Sequence, residues 1–279
     1  MKNILLPTDF SENALNAAIY ALHLYKDEPC RFIFLNAYDV NGYFANSILM
    51  PIPGNHTLEE AKNLSVEKLE KLINNLGEKN SNPYHTFSSI SQNDHLVNAV
   101  NLQIETSQIE VVIIGTQGST AAQDVTYGRN TINIMENVRN CPIMAIPSHV
   151  KYHGINEVVL PTSYKMNFRP EYFNFIKSFL KRNKASLRIL HIEEDIALSE
   201  EQQLKKNSLE AILKDTPHSF HHLAYVTVPI GIYCFTESRR SDMIAFLNKK
   251  HSFLENVILE PLYKNLGNYS QIPVLVLQL

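Results

Sequence analysis

Short apolar runs alternate with helical patterns along the first half of the chain. Residues 3–8, NILLPT, form a β-rich run that Pro7 ends. Apolar side chains between residues 14 and 25 then recur at helical spacing, and Ser11 is placed to cap that helix. Residues 31–37, RFIFLNA, predict a second, buried strand.

The same alternation continues through this half. Residues 41–56 contain Pro and Gly and predict a loop, and Thr57 is predicted to open a helix because Glu60 completes a capping box. The further predicted elements are a weak strand at 84–90, a helix at 94–107, a strand at 109–114, a helix at 129–140 and a strand at 143–146. Strands that alternate with helices predict an α/β fold with a parallel sheet.

The second half repeats the strand segments of the first. NEVVLPT at 156–162 mirrors KNILLPT at 2–8, LRILHIE at 187–193 mirrors RFIFLNA at 31–37, and IPVLVLQL at 272–279 mirrors CPIMAIPS at 141–148. A repeat of this length indicates a duplicated domain, and 279 residues at roughly 150 per domain agree with two. We therefore predict domains at 1–150 and 151–279.

Composition excludes several classes of protein. A net charge of −3 gives no electrostatic reason to expect nucleic-acid or anionic-membrane binding. The opening apolar run is too short for a signal peptide, and no run approaches the ~20 apolar residues of a membrane span. Cys30, Cys141 and Cys234 are odd in number and far apart, so we expect reduced thiols that all pack in the core, and a cytoplasmic location.

Glycines are concentrated in one segment of the first half. The chain has nine glycines, yet Gly115, Gly118 and Gly128 lie between the end of the strand at 109–114 and the next predicted helix. Glycine permits close backbone approach, and a helix N-terminus offers unpaired N–H groups, so such a loop is typical of a phosphate site. The alternative is a surface loop that needs glycine only for its turns.

These motifs resemble those of the universal stress protein family. Residues 115–131, GTQGSTAAQDVTYGRNT, are similar to its Gly-x2-Gly-x9-Gly ATP signature, and ILLPTDFSENALNAAIYA resembles its first strand and helix. The resemblance is strong over 1–150 and holds at fold level over 151–279. It implies two tandem open five-stranded parallel sheets of the adenine nucleotide α hydrolase-like type, with strand order 3-2-1-4-5 and flanking helices.

The resemblance also implies a site for ATP, with Mg²⁺ as an optional companion ion. Asp9 would accept hydrogen bonds from the adenosine part, and the backbone of Ala37 would touch the adenine. The complete set of implied nucleotide-binding residues is Pro7, Thr8, Asp9, Ala37, Gly115, Gly118, Gly128, Arg129, Asn130 and Thr131. No catalytic residue and no metal ligand is assigned.

The residue after the third glycine departs from the family pattern. The family has Ser or Thr there, and this chain has Arg129. A guanidinium can donate two charged hydrogen bonds to phosphate, or it can turn into solvent and hold the phosphates less well. Thr131 could supply a replacement hydroxyl. We expect binding to be retained.

The second copy lacks most of these features. Ser163 stands where the first copy has Asp9, and no glycine follows its fourth strand until Gly267. The histidines at 218, 221 and 222 suggest a metal site, but neighbours on a strand point to opposite faces and cannot readily share an ion. We therefore predict one nucleotide site per chain, with the second copy structural or partner-binding.

Three functions remain open at this stage. The first is an ATP-binding stress-response module that acts on an unknown protein partner. The second is an enzyme of the same fold, at most a slow ATPase, and the third is a nucleotide-free interaction protein. Family members pair through their last strand, so we expect CPIMAIP and IPVLVLQL to pair within the chain as a pseudo-dimer, with a homodimer as a further step.

Overall fold

The computed structural model describes residues 1–38, 55–116, 127–193, 198–248 and 272–278. The chain divides into two compact units, Met1–Tyr152 and His153–Leu279. The boundary between them lies two residues from the position expected from the repeat. Each unit is an α/β fold in which helices flank a parallel sheet.

The first unit has the predicted strand order. Its strands are β1 (Lys2–Pro7), β2 (Cys30–Tyr38), β3 (His85–Asn93), β4 (Ile109–Gly115) and β5 (Ile143–Ile146). Its described helices are α1 (Glu12–Leu24), α2 (Asn55–Lys79), α3 (Leu96–Ser107) and α4 (Arg129–Asn137). The strands lie in the order β3-β2-β1-β4-β5, with parallel neighbours throughout. The predicted order 3-2-1-4-5 is confirmed.

The core of this unit follows from its apolar runs. The central strands have no polar face, and Ile4, Phe32 and Val112 are each fully buried because helices cover both sides of the sheet. At the start of α1, the Ser11 hydroxyl accepts a hydrogen bond from the Ala14 N–H, which confirms the predicted cap. Edge strand β3 is only half-buried.

The second unit repeats the same topology. Its strands are β6 (Glu157–Pro161), β7 (Ser186–Glu193), β8 (His218–Ala224), β9 (Met243–Asn248) and β10 (Val274–Gln278). A 3-10 turn (Pro170–Phe173) precedes α5 (Asn174–Asn183), and α6 (Glu200–Leu213) and α7 (Val228–Arg239) follow. The strand order is β8-β7-β6-β9-β10, again parallel, so β6 is the counterpart of β1 and β7 that of β2.

Three local expectations are wrong. Helix α2 begins at Asn55, so Thr57 lies inside the helix rather than at its cap. Helix α4 ends at Asn137 instead of residue 140, because Val138 is already extended and Asn140 has a φ of 60°. The thiol of Cys234 is exposed, whereas Cys30 and Cys141 are buried as expected. Burial raises the pKa of Cys141 to about 12, so this thiol stays protonated.

No helix in the described ranges has the length and apolar character needed to span a membrane.

Candidate functional site

The predicted site residues gather at the carboxyl edge of the first sheet. Pro7 is the last residue of β1 and Gly115 the last of β4, and these two strands are direct neighbours. Strand β1 also pairs with β2, which carries Ala37. The connection after β1 leads to β2 on one side, and the connection after β4 leads to β5 on the other side. In open α/β sheets, ligands bind at such a switch point.

A tight turn after β1 presents Asp9. The Thr8 N–H donates to the Leu35 carbonyl oxygen at 2.8 Å, which extends the pairing with β2 by one residue. Phe10 has a φ of 65°, and its N–H donates to the Thr8 hydroxyl at 3.0 Å. The Asp9 carboxylate is exposed and accepts the Ser11 N–H at 3.1 Å. The turn thus holds a carboxylate at the edge of the sheet.

A polar side chain of β2 holds this turn from the side. Asn36 donates from Nδ2 to the Thr8 carbonyl oxygen at 2.8 Å. Its Oδ1 accepts the Ser65 hydroxyl of α2 at 2.8 Å, and Ser65 accepts the Ser91 hydroxyl of β3 at 2.8 Å. Sequence reasoning missed this relay, although Asn36 directly follows the buried apolar run of residues 32–35.

At position 115, the end of β4, any side chain larger than that of glycine would force neighbouring atoms to move. A Cβ added to Gly115 would lie 2.8 Å from Cγ of Asn13, in the first turn of α1. The Gly128 N–H donates to the Thr116 carbonyl oxygen at 2.7 Å, so the chain returns to the end of β4 where α4 begins. Gly118 lies outside the described residues.

The first turn of α4 is tied to β4 by a buried hydroxyl. Thr131 is 2% exposed, and its Oγ1 donates to the Gly115 carbonyl oxygen at 2.8 Å. Its proton is therefore engaged within the protein. Gly128 is the N-cap and has no side chain to satisfy the helix N–H groups, while Arg129 and Asn130 are exposed. The exposed end of α4 thus has the positive character that favours anions.

The second unit keeps the architecture of the turn. The Thr162 N–H donates to the Leu190 carbonyl oxygen at 2.8 Å, and Tyr164, with a φ of 54°, donates its N–H to the Thr162 hydroxyl at 3.1 Å. In place of Asn36, His191 contacts the Thr162 carbonyl oxygen through Nδ1 at 2.8 Å. Ser163 takes the place of Asp9, as the sequence indicated.

The space beside this second turn is filled by the protein's own side chains. Tyr164 is 2% exposed, and its ring centroid lies 4.9 Å from that of His191. His191 Nε2 lies 2.9 Å from a Glu193 carboxylate oxygen. Gln202 of α6 donates to the same oxygen at 2.9 Å and to the Ser163 carbonyl oxygen at 3.1 Å.

Hydrogen bonding and burial shift the pKa values of Glu193 and Tyr164 in opposite directions. The Gln202 hydrogen bond lowers the pKa of Glu193, burial opposes it, and His191 and Lys165 lower it further. Burial raises the pKa of the Tyr164 hydroxyl. The second turn is therefore closed by a charged and hydrogen-bonded cluster rather than left as an open edge.

The two copies also differ in side-chain size at two positions near the turn. Ile192 takes the register position of Ala37. A Cβ on Gly231, the fourth residue of α7, would lie 2.8 Å from Ile192 Cδ1, so this helix packs directly on the isoleucine. The fourth residue of α3 is Ala99. The second copy thus has a larger side chain at the register position that Ala37 occupies in the first.

The three clustered histidines have separate partners. His218 contacts the Thr216 carbonyl oxygen at 2.7 Å, and His221 contacts the Ser219 hydroxyl at 2.8 Å. The His222 ring lies 5.2 Å from that of His191. Within the described ranges, no group of three or more metal-ligating side chains is assembled.

The strand order and the parallel strands of each unit define a class: open α/β proteins of the adenine nucleotide α hydrolase-like fold. Residues 1–147 match the model of the universal stress protein family. The chain belongs to this family. No curated protein matches the chain significantly.

Solved structures share the fold over the whole chain. A universal stress protein from Archaeoglobus fulgidus aligns with a TM-score of 0.65 at 16% identity, covering 99% of this chain and 96% of that one. A protein of unknown function from Pseudomonas aeruginosa gives 0.57 at 10% identity, covering 100% and 92%. The cytoplasmic domain of a prokaryotic cation chloride cotransporter gives 0.52 at 12% identity, covering 99% and 95%. At these identities the likeness concerns the fold alone.

Proposed function

We propose that this protein is a cytoplasmic, nucleotide-dependent stress-response module with one ATP site, located in the first unit. The observation that carries the proposal is the convergence at the switch point of β1 and β4. There the Asp9 turn, the glycine end of β4 and the N-terminus of α4 meet at one edge of the sheet. This arrangement supports the proposal, because a carboxylate that could accept from a nucleoside lies near a helix N-terminus of the kind that binds phosphate.

Each group has a distinct role in this proposal. The Asp9 carboxylate, held by the Ser11 N–H, would accept hydrogen bonds from the ribose or base. Adenine would lie beside β2 at Ala37, where the side chain is small. The phosphates, with or without Mg²⁺, would approach the N–H groups of α4 at Gly128, and the exposed Arg129 would add a full positive charge.

The second unit would act as a structural or partner-binding copy. Ser163 cannot accept hydrogen bonds as a carboxylate does, and Tyr164, His191 and Gln202 occupy the region beside the turn. No glycine occurs between residues 248 and 266, so no phosphate loop of the family type follows β9. These features support one nucleotide per chain.

The activity we infer is binding rather than catalysis. Among the described residues assigned to the site, the one acidic side chain is that of Asp9, which is exposed and accepts a hydrogen bond from the N–H of Ser11, the N-cap of α1. A general base works best when burial or a neighbouring charge adapts it to the working pH, whereas this side chain is exposed. Hydrolysis of ATP would therefore be slow.

The test is to identify what the purified protein carries. Protein prepared without added ligand is denatured, and the released small molecules are measured by mass spectrometry. We expect an adenine nucleotide near one per chain. If none is released and added ATP does not bind, the nucleotide-free interaction protein becomes the better description, whereas rapid phosphate release from ATP would favour the enzyme.

A further inference from the structure

The two copies use different residues for the same hydrogen bond. The strand registers pair Pro7 with Leu35 and Pro161 with Leu190, so Asn36 and His191 occupy one position. Matching the letters of 31–37 and 187–193 in order would instead pair Asn36 with Ile192. The structure thus reveals an equivalence that the sequence pattern hides.

An amide and an imidazole differ in shape, but both offer a directed N–H donor. Nδ2 of Asn36 lies 2.8 Å from the Thr8 carbonyl oxygen, and Nδ1 of His191 lies 2.8 Å from the Thr162 carbonyl oxygen. Neighbouring elements orient both donors. In the first unit Ser65 of α2 donates to the Asn36 oxygen. In the second, Nε2 of His191 contacts the Glu193 carboxylate, which also accepts a hydrogen bond from Gln202.

We propose that Asn36 is a positioning residue for nucleotide binding, which acts by fixing the peptide between Thr8 and Asp9. A peptide unit is planar, so a hydrogen bond to its carbonyl oxygen also fixes the direction of its N–H and of the following Cα. The Asp9 side chain begins at that Cα. The relay from Ser91 through Ser65 to Asn36 therefore aims the carboxylate at the nucleoside.

The geometry of the turn makes this restraint necessary. Phe10 has a φ of 65°, in the left-handed region that residues other than glycine adopt at an energetic cost. A turn of this kind persists where its surroundings hold it. Three described hydrogen bonds involve Thr8. Its N–H donates to the Leu35 carbonyl oxygen, its hydroxyl accepts the Phe10 N–H, and its carbonyl oxygen accepts Nδ2 of Asn36. Of these three, only the bond from Asn36 comes from the side chain of another residue.

The experiment compares three variants of the full chain with wild type. Asn36→Leu removes the donor at similar size, and Asn36→His substitutes the donor that the second unit uses. Asn3→Leu is the matched control, because Asn3 also donates to a backbone carbonyl, that of Ser107 at 2.6 Å, but at the opposite end of β1. Calorimetric titration with ATP gives each dissociation constant, and thermal melting gives each stability.

We expect the dissociation constant of Asn36→Leu to rise about tenfold and that of Asn36→His to stay within about threefold of wild type. Asn3→Leu should lower the melting temperature and leave the dissociation constant unchanged. An unchanged dissociation constant in Asn36→Leu overturns the proposal. So does an Asn36→His variant that is as weak as Asn36→Leu.

The proposal rests on the proposed ATP site, and a second readout separates the two. Amide hydrogen exchange at Phe10 and Ser11 reports the turn without any ligand. We expect faster exchange in Asn36→Leu and wild-type exchange in Asn36→His. If wild type does not bind ATP, the proposed function fails while faster exchange still supports Asn36 as the residue that fixes the turn. Unchanged exchange in Asn36→Leu contradicts that role whether or not ATP binds.

Discussion

Gly115 is required by its contact with Asn13 rather than by its backbone angles. Replacement by Ala would bring a Cβ within 2.8 Å of the Asn13 side chain, which must then move. We expect Gly115→Ala to destabilise the first unit by about 1–3 kcal/mol, as overpacking of a buried contact does. Urea unfolding of the full chain measures this.

The matched control is Gly77→Ala. Gly77 lies in α2, and a Cβ there would have nothing within 4 Å. This variant should be more stable than wild type by about 0.4–1 kcal/mol, because alanine restricts the unfolded chain and favours the helix. Equal stability of the two variants would show that Asn13 does not restrict position 115.

Glu157 is expected to govern the acid stability of the second unit. Burial alone would raise its pKa, but hydrogen bonds from Arg239, Arg188 and Ser241 outweigh burial and lower the pKa to about 2. A carboxyl group whose folded pKa lies below its unfolded value stabilises the fold above that unfolded value. This stabilisation should be lost as the pH falls from about 5 to 2 and is on the order of 3 kcal/mol.

The measurement is the urea midpoint as a function of pH for wild type and Glu157→Gln. We expect the variant to be less stable at pH 7 and to lose less stability on acidification. Glu201→Gln is the control, since Glu201 is exposed and pairs with Lys205 on one helix, where ion pairs contribute little. Parallel pH curves for wild type and Glu157→Gln would contradict the assignment.

At the scale of elements, the apolar runs were sufficient to predict the strands of the first unit, whereas their order was implied by the family resemblance. The burial of FIFL on both faces and the cap at Ser11 follow from local patterns. Helix ends were less predictable. Thr57 has the letters of a capping box yet lies inside α2, because a cap motif does not exclude a further turn before it.

The polar relay at the site was not predictable from the same patterns. Asn36, Ser65 and Ser91 come from three elements that meet only in the folded sheet. Their spacing along the chain carries no periodic signal. The equivalence of Asn36 with His191 also required the strand register, since the letters of the two strands align one residue away from it. Local sequence patterns do not predict contacts between side chains of elements that are distant along the chain.

Arg129, in the first turn of α4, is expected to strengthen phosphate binding. The side chain is exposed beside a helix N-terminus that lacks a side-chain cap. Its positive charge and the N–H donors of the helix would act on the same phosphate in the proposed complex. We expect Arg129→Ala to weaken ATP binding about three- to tenfold and to reduce the salt dependence of binding. The affinity of Arg129→Ser should lie between those of wild type and Arg129→Ala. Titration at two salt concentrations measures both effects.

Unchanged affinity in Arg129→Ala would identify this arginine as a solvated surface charge. The family-type hydroxyl of Arg129→Ser serves as the control, because it restores a hydrogen-bond donor without the charge.

At the scale of the whole molecule, the two units share one fold but differ at the carboxyl edges of their sheets. The first keeps Asp9 and small residues at the edge of its sheet, and the second has closed the corresponding edge with Tyr164, His191 and Gln202. The predicted pairing of the last strands of the two copies remains a prediction. Under the proposed function, one nucleotide, bound by the first unit, would control a protein of two units.

The stoichiometry of ATP binding tests this account most directly. Calorimetric titration of the full chain should give one site, and ATP at 100 times its dissociation constant should stabilise the protein by about 2.7 kcal/mol. Gly118→Val should abolish both effects, since a branched side chain would stand where the family pattern brings backbone close to phosphate. Asp9→Ala should weaken both, and Ser163→Ala should leave them unchanged. Two sites of similar affinity, or an undiminished response in Gly118→Val, would contradict the account.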